Sequence, residues 1–187
     1  MVQTLYLWLK KRQKPIEGLW LPLSAIFANA IIAVTLVLGF ASYYQAKGLG
    51  QVEASLGYVD TFNGGEVLQA RNLIYRSWLP YDFSTSNTAL SRGVIDALLE
   101  RIVADVSTSE GVDHRLAVAV IVAFFDSVQA CVSEGACSDT VLRSQVGEYG
   151  RDFYCLYKPI IERERARGKL VSFGSGLETV ADKAGGC

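Results

Sequence analysis

The stretch GLWLPLSAIFANAIIAVTLVLGFASYYQA, from Gly18 to Ala46, holds 29 residues without an ionisable side chain. A helix needs about 20 apolar residues to cross roughly 30 Å of hydrocarbon, so this one spans a bilayer with length to spare for tilt. A secretory signal has an apolar core of about 7 to 15 residues followed by a small-x-small cleavage site. The core here is far longer, and Ala28-Asn29-Ala30 lies inside it, which makes the segment an uncleaved anchor. Trp20 at one end, and Tyr43 and Tyr44 at the other, are ring types that favour the headgroup level.

Working outward, residues 1–17 carry Leu5, Trp8 and Leu9 and then Lys10, Lys11, Arg12 and Lys14. They form either a short interfacial helix against anionic lipid or simply a basic flank. The far side has only Lys47 in the next twenty or so residues. The positive-inside rule therefore places the N-terminus in the cytoplasm and the rest of the chain in a periplasm or equivalent lumen, an inner-membrane, single-pass arrangement. The cysteines bear on the same question, because disulfides persist outside the cytosol. Cys131 and Cys137 bracket a helix-to-helix turn, with Gly135 as terminator and Ser138 as the next cap. They are either a disulfide or two small buried hydrophobes. Cys155 reads as core, and Cys187 pairs with anything or nothing.

The chain's 187 residues leave room for one modest domain beyond the anchor. Its net charge of −1 gives no field to steer it onto nucleic acid. Gly48, Gly50 and Gly57 weaken helix preference over 47–62, a linker or helix extension. Asn63-Gly-Gly-Glu66 has the form of a capping box and opens a helix to about Trp78, with Val67, Ala70, Ile74 and Trp78 on its apolar side. Pro80 helps to stop it. After a polar loop through Ser84, Thr85 and Ser86, Leu90, Val94, Leu98, Ile102 and Val106 recur at helical spacing opposite Arg92, Asp96, Glu100 and Arg101. A break from Ser107 to Gly111 leads to Asp113 as a cap. The apolar run from Leu116 to Phe125, closed by Asp126, is the buried central helix. A last long helix after Ser138 carries Leu142, Val146, Tyr149, Phe153, Leu156 and Ile160 in one stripe. Gly147 and Gly150 weaken it or permit close packing, and Pro159 kinks or restarts it.

The expected fold is all-α: one N-terminal transmembrane helix followed by a small four-helix bundle over 63–167, then an irregular Gly-rich tail over 168–187. The run from Ala70 to Tyr75, the central helix leading into Cys131 to Cys137, and the aromatic stretch through Tyr157 and Pro159 resemble a family of bacterial single-pass membrane-anchored helical domains of unknown function. The resemblance implies fold and anchor, and no catalytic residues.

Few residues are arranged for chemistry. His114 is the only histidine, which removes two-histidine sites and most nucleophile–histidine pairs. It is expected to be partly exposed, with a structural or incidental role. Glu110 and His114 have the wrong spacing for a carboxylate-bridged metal pair, and the cysteine spacing completes no metal site. Gly48 and Gly50 lack the third glycine and the preceding strand of a dinucleotide fingerprint. Gly174-Ser-Gly176 lacks the strand and helix that hold a nucleophile elbow. Asp96 and Glu100 share a face with arginines and read as a solvated charge face. No catalytic residue, metal or cofactor is expected.

Within the span, Ala25, Asn29 and Ala33 form a narrow strip of small residues with one amide, which either docks a partner helix or is tolerated in a monomeric anchor. These features favour a non-catalytic accessory, assembly or stabilising subunit, docked onto other integral membrane subunits in the lipid bilayer. The alternative is a membrane-tethered sensor or effector that binds a small ligand or soluble protein. A pocket lined by Tyr149, Phe153 and Trp78, or ligand-dependent melting of the isolated domain, would favour that reading.

Overall fold

The structure is a computed structural model that describes the backbone of residues 2–81, 91–109, 114–167 and 171–187, and the side chains of 26–81, 91–102, 114–167 and 171–187. The elements are α1 (Val2–Asn63), α2 (Gly65–Trp78), α3 (Arg92–Ser109), α4 (His114–Ser133), α5 (Asp139–Leu142), a π-helical turn (Arg143–Gly147), α6 (Glu148–Ala166) and α7 (Ser175–Lys183). Among the described residues there is no strand. The chain divides into two compact units, Met1–Lys47 and Gly48–Cys187.

In the first unit every described side chain from Ile26 onward is exposed. Phe27, Ile31, Val37 and Phe40 each leave more than 60% of their surface uncovered. An apolar helix with no protein around it is long and apolar enough to cross a membrane. The Thr35 hydroxyl satisfies itself by donating to the Ile31 carbonyl at 2.8 Å.

The second unit begins at Gly48 rather than near Asn63. Residues 48–63 are helical as the end of α1, not a loose linker, because tertiary contacts outweigh the weak propensity of Gly50 and Gly57. Gln51 Nε2 donates to the Gly135 carbonyl at 2.8 Å, the Ser138 N–H donates to the buried Ser55 Oγ at 2.8 Å, and Phe62 enters the core. Asn63 is not the cap of α2. It ends α1 with its amide donating to the Val59 carbonyl, while Gly64 caps α2 and Gly65 turns the chain at φ +55°.

At the centre lies α4, whose Ala117, Val118, Ile121, Val122, Phe124, Phe125 and Val128 are buried beneath α2, α3 and α7. By length and composition α4 could also cross a membrane. Its covering by other helices makes it a core helix instead. α2 buries Val67, Ala70 and Ile74, as its spacing predicts. Among the described side chains of α3, Leu99 and Ile102 are buried, whereas Val94 is 44% exposed. The loop around Ser84, Thr85 and Ser86, Leu90, Glu110 and Asp113 lie outside the described residues.

The helix after Ser138 begins as expected, with Ser138 Oγ accepting from the Val141 N–H. Gly150 permits a close approach: a Cβ there would meet the Phe125 ring at 2.8 Å. α6 runs through Pro159 without restarting. A proline deprives the carbonyl four residues earlier of its helical donor. That carbonyl belongs to Cys155, and Arg92 of α3 donates to it from Nη1 at 2.6 Å.

The Gly-rich tail is a structural element rather than an irregular end. α7 packs on α4 and α6 with Leu177 and Ala181 fully buried. Asp126 of α4 accepts from the N–H groups of Gly174 (2.8 Å), Gly176 (2.7 Å) and Leu177 (3.2 Å), capping α7 from another helix. Gly176 is needed for this contact, since a Cβ would lie 2.6 Å from the Asp126 Cα, and Gly174 turns into the helix at φ +73°. Both cysteine pairs are bridged, Cys131–Cys137 and Cys155–Cys187. Their sequence separations of 6 and 32 correspond, on a chain-entropy estimate, to about 2 and about 4 kcal/mol of restriction on the unfolded chain. The longer one holds the end of the chain to α6.

Asp126→Ala is expected to destabilise the second unit by about 2 kcal/mol, the upper range of a lost cap, and Gly176→Ala by a similar amount through overpacking; chemical denaturation checks both. A second tie between α6 and α7 is pH-sensitive. Tyr154 donates to Glu178 at 2.7 Å and Arg165 donates to it at 2.9 Å, and these bonds hold the Glu178 carboxyl below its ordinary value of 4.5. Its contribution to stability is complete above that ordinary value and is lost as pH falls through the depressed folded value. In urea titrations across that acid range, Glu178→Gln should give a shallower loss of stability than the unsubstituted chain.

Candidate functional site

Two helix faces beside the core stripes meet to form a concavity. On α2, Leu68, Arg71, Asn72, Tyr75 and Trp78 follow helical spacing beside the buried stripe. On α6, Tyr149, Asp152 and Leu156 do the same, with the buried Phe153 and Tyr157 beneath them. Together with Ile74 they line a groove of about 490 Å³. Ligand pockets typically measure about 300–1,000 Å³ and combine apolar walls with a few polar groups.

Tyr149, Phe153 and Tyr157 stack along α6, with ring centroids 6.0 Å apart for the first pair and 4.6 Å for the second. The rings form one continuous wall because residues four apart share a helix face. At one end Trp78 Nε1 donates to Tyr157 Oη at 3.1 Å, joining α2 to α6. At the other, the Arg71 guanidinium carbon lies 3.9 Å from the Phe62 ring centroid and 5.0 Å from that of Tyr149. Arg71 Nη1 donates to the Phe62 carbonyl at 3.0 Å and reaches Asn63 Oδ1 at 3.5 Å. None of these partners is a carboxylate. Asp152, the acid on the rim, accepts from Arg151 Nε at 3.0 Å and Nη2 at 2.8 Å. Burial raises the Tyr149 phenol above its ordinary 10, an effect that Arg71 opposes. Burial likewise raises Tyr157, against the hydrogen bond from Trp78.

Behind the groove floor sits His114, which is fully buried rather than partly exposed. The first turn of α4 is enclosed by α2 and α6, which the sequence position alone did not reveal. His114 Nδ1 is 3.2 Å from Ser77 Oγ, and Nε2 is 3.2 Å from Tyr157 Oη. Ser77 donates its own proton to the Leu73 carbonyl at 2.8 Å, so its oxygen accepts from Nδ1–H. Tyr157 Oη accepts from Trp78, and its proton is free for Nε2. Among these contacts the donors and acceptors match with the imidazole proton on Nδ1. This network fixes Trp78 and Tyr157, and with them one end of the groove.

The structure brings Tyr149, Phe153 and Trp78 to one groove. Cys131 and Cys137 join as a disulfide at the turn between α4 and α5, away from the groove. Asn29 and Ala33 are exposed on α1, and the Ala25 side chain lies outside the described residues. Asp96 and Glu100 are paired with Arg92 and Arg163 on the surface and form no acid–base pair. Gly174 and Gly176 serve the cap of α7. Among the described residues no cluster of three or more His, Cys, Asp or Glu could hold a metal ion. Arg71, Ser77 and Tyr157 escaped the sequence reading. The signal for Arg71 was the second stripe on α2, Leu68, Arg71, Tyr75 and Trp78.

Tyr157→Phe removes one hydroxyl from between two buried groups and is expected to cost about 1–3 kcal/mol, measured by urea denaturation, with exposure of the Trp78 indole seen by NMR. The chain matches no protein-family model, no curated protein and no solved structure, so its function has to be argued from its own residues.

Proposed function

We propose that this chain is a non-catalytic, membrane-tethered binding module: a helical effector or sensor domain, held outside the cytoplasm by a single span, that engages a small apolar or amphiphilic ligand. The groove between α2 and α6 carries this reading, since it unites an aromatic wall, apolar flanks and one arginine at its end. The basic residues from Lys10 to Lys14 favour a cytoplasmic N-terminus. The two disulfides agree with a domain in an oxidising periplasm or lumen.

A second reading has its own support. The Asn29 amide is exposed on an apolar helix, and Leu49, Val52 and Leu56 leave a further exposed apolar stripe on α1. An amide in hydrocarbon gains about 1 kcal/mol from a partner. This favours an accessory or assembly subunit docked through α1 onto other integral membrane subunits, a role compatible with ligand binding in the groove.

The test is to place the full chain, with 15N-labelled tryptophan, in phosphatidylcholine nanodiscs and to screen small apolar and amphiphilic molecules. At least one compound is expected to shift the Trp78 indole resonance saturably, and Leu68→Trp, which fills the groove, should abolish that response. If no compound moves the resonance, the binding-module reading is overturned.

A further inference from the structure

Resting on that reading, we infer that the groove selects a small amphiphilic carboxylate, an anionic head attached to a single apolar tail, with Arg71 reading the head and Leu68, Tyr75, Tyr149 and Leu156 holding the tail. The charge at the groove is one-sided. Arg71 is half-buried among aromatic rings, and its hydrogen bonds go to a backbone carbonyl and an amide oxygen, neither of which neutralises it. The neighbouring acid, Asp152, is already engaged by Arg151 through two hydrogen bonds. A guanidinium has five N–H donors in a planar fork suited to a carboxylate, and only Nη1 is bound to the backbone here.

Length and shape point to the same class. Arg71 and Tyr149 mark one end of the groove, and the Trp78–Tyr157 hydrogen bond closes the other. Seven residues of α2 separate these ends, which is about 10 Å at the helical rise. A groove of that length and about 490 Å³ in volume takes a tail of several carbons and is too short for a docked helix of three or four turns. Between the ends the accessible apolar lining is Leu68, Tyr75 and Leu156, and the one acid there, Asp152, is held by Arg151. The hydroxyl of Tyr149, beside Arg71, stays protonated because burial raises its pKa, so it adds a donor rather than a competing anion.

The experiment titrates decanoate, decanol and decyltrimethylammonium into the full chain in phosphatidylcholine nanodiscs, following the Trp78 indole resonance. Decanoate is expected to bind about tenfold or more tightly than either control, as one charge-assisted pairing allows. Arg71→Gln should bring decanoate to the level of decanol, Arg71→Lys should keep part of the preference, and Leu68→Trp, with Arg71 in place, should abolish the response to all three. Equal affinity for the three probes, all lost in Leu68→Trp, would overturn carboxylate selection and leave the binding module standing. A decanoate preference that survives Arg71→Gln, or a response that survives Leu68→Trp, also sinks the assignment. So does silence towards all three probes, and the wider screen then decides whether the module reading falls with it.

Discussion

An apolar helix twenty residues long cannot stand in water, and the whole second unit is organised around covering α4. α2 covers one side and α7 another, while α3 closes over part of it. The requirement explains why a chain segment as poor in hydrophobic residues as the C-terminal stretch nevertheless folds. α7 contributes few apolar side chains, but Leu177 and Ala181 land on surface that would otherwise be wet. The position of α7 is then fixed by Asp126, the residue that ends the apolar run of α4. One carboxylate both terminates the hydrophobic stripe and holds the helix that covers it.

The same unit satisfies several of its polar groups through contacts between distant segments. Pro159 strips a donor from the Cys155 carbonyl, and Arg92 of α3 restores it. Ser55 of α1 both donates to Gln51 and accepts from the Ser138 backbone. His114, Ser77, Tyr157 and Trp78 satisfy one another across three helices. Buried polar groups that lack partners are costly, so each of these pairs specifies which helices lie side by side. Cys155–Cys187 adds a covalent tie on the same side as the α6–α7 hydrogen bonds.

The groove is what remains once those demands are met. α2 turns Val67, Ala70 and Ile74 towards α4 and so leaves Leu68, Arg71, Tyr75 and Trp78 on a second face. α6 does likewise with Tyr149 and Leu156, and the two leftover faces meet across open space. The buried histidine network behind the floor makes one end rigid, and the stacked arginine defines the other.

Much of the architecture was legible in the residues. The uncharged stretch from Gly18 to Ala46, the apolar run of α4, the stripe on α2 and the Gly135–Ser138 turn are local patterns, and local patterns follow from helical periodicity and capping chemistry. The trio Tyr149, Phe153 and Trp78 could be named as a possible pocket lining for the same reason, since their positions on their helices were readable. The burial of His114, the partner of Pro159, the pairing of Cys187 and the helix hidden in a glycine-rich tail were decided only in three dimensions. Each depends on a group far away in the chain, and no periodicity records which distant carboxylate, arginine or hydroxyl will arrive. Sequence alone determined the long apolar N-terminal helix and most of the helices that follow, because hydrophobic spacing acts over a few residues. Tertiary structure decided the groove and its charge, because those are set by which faces the packing of α4 leaves uncovered.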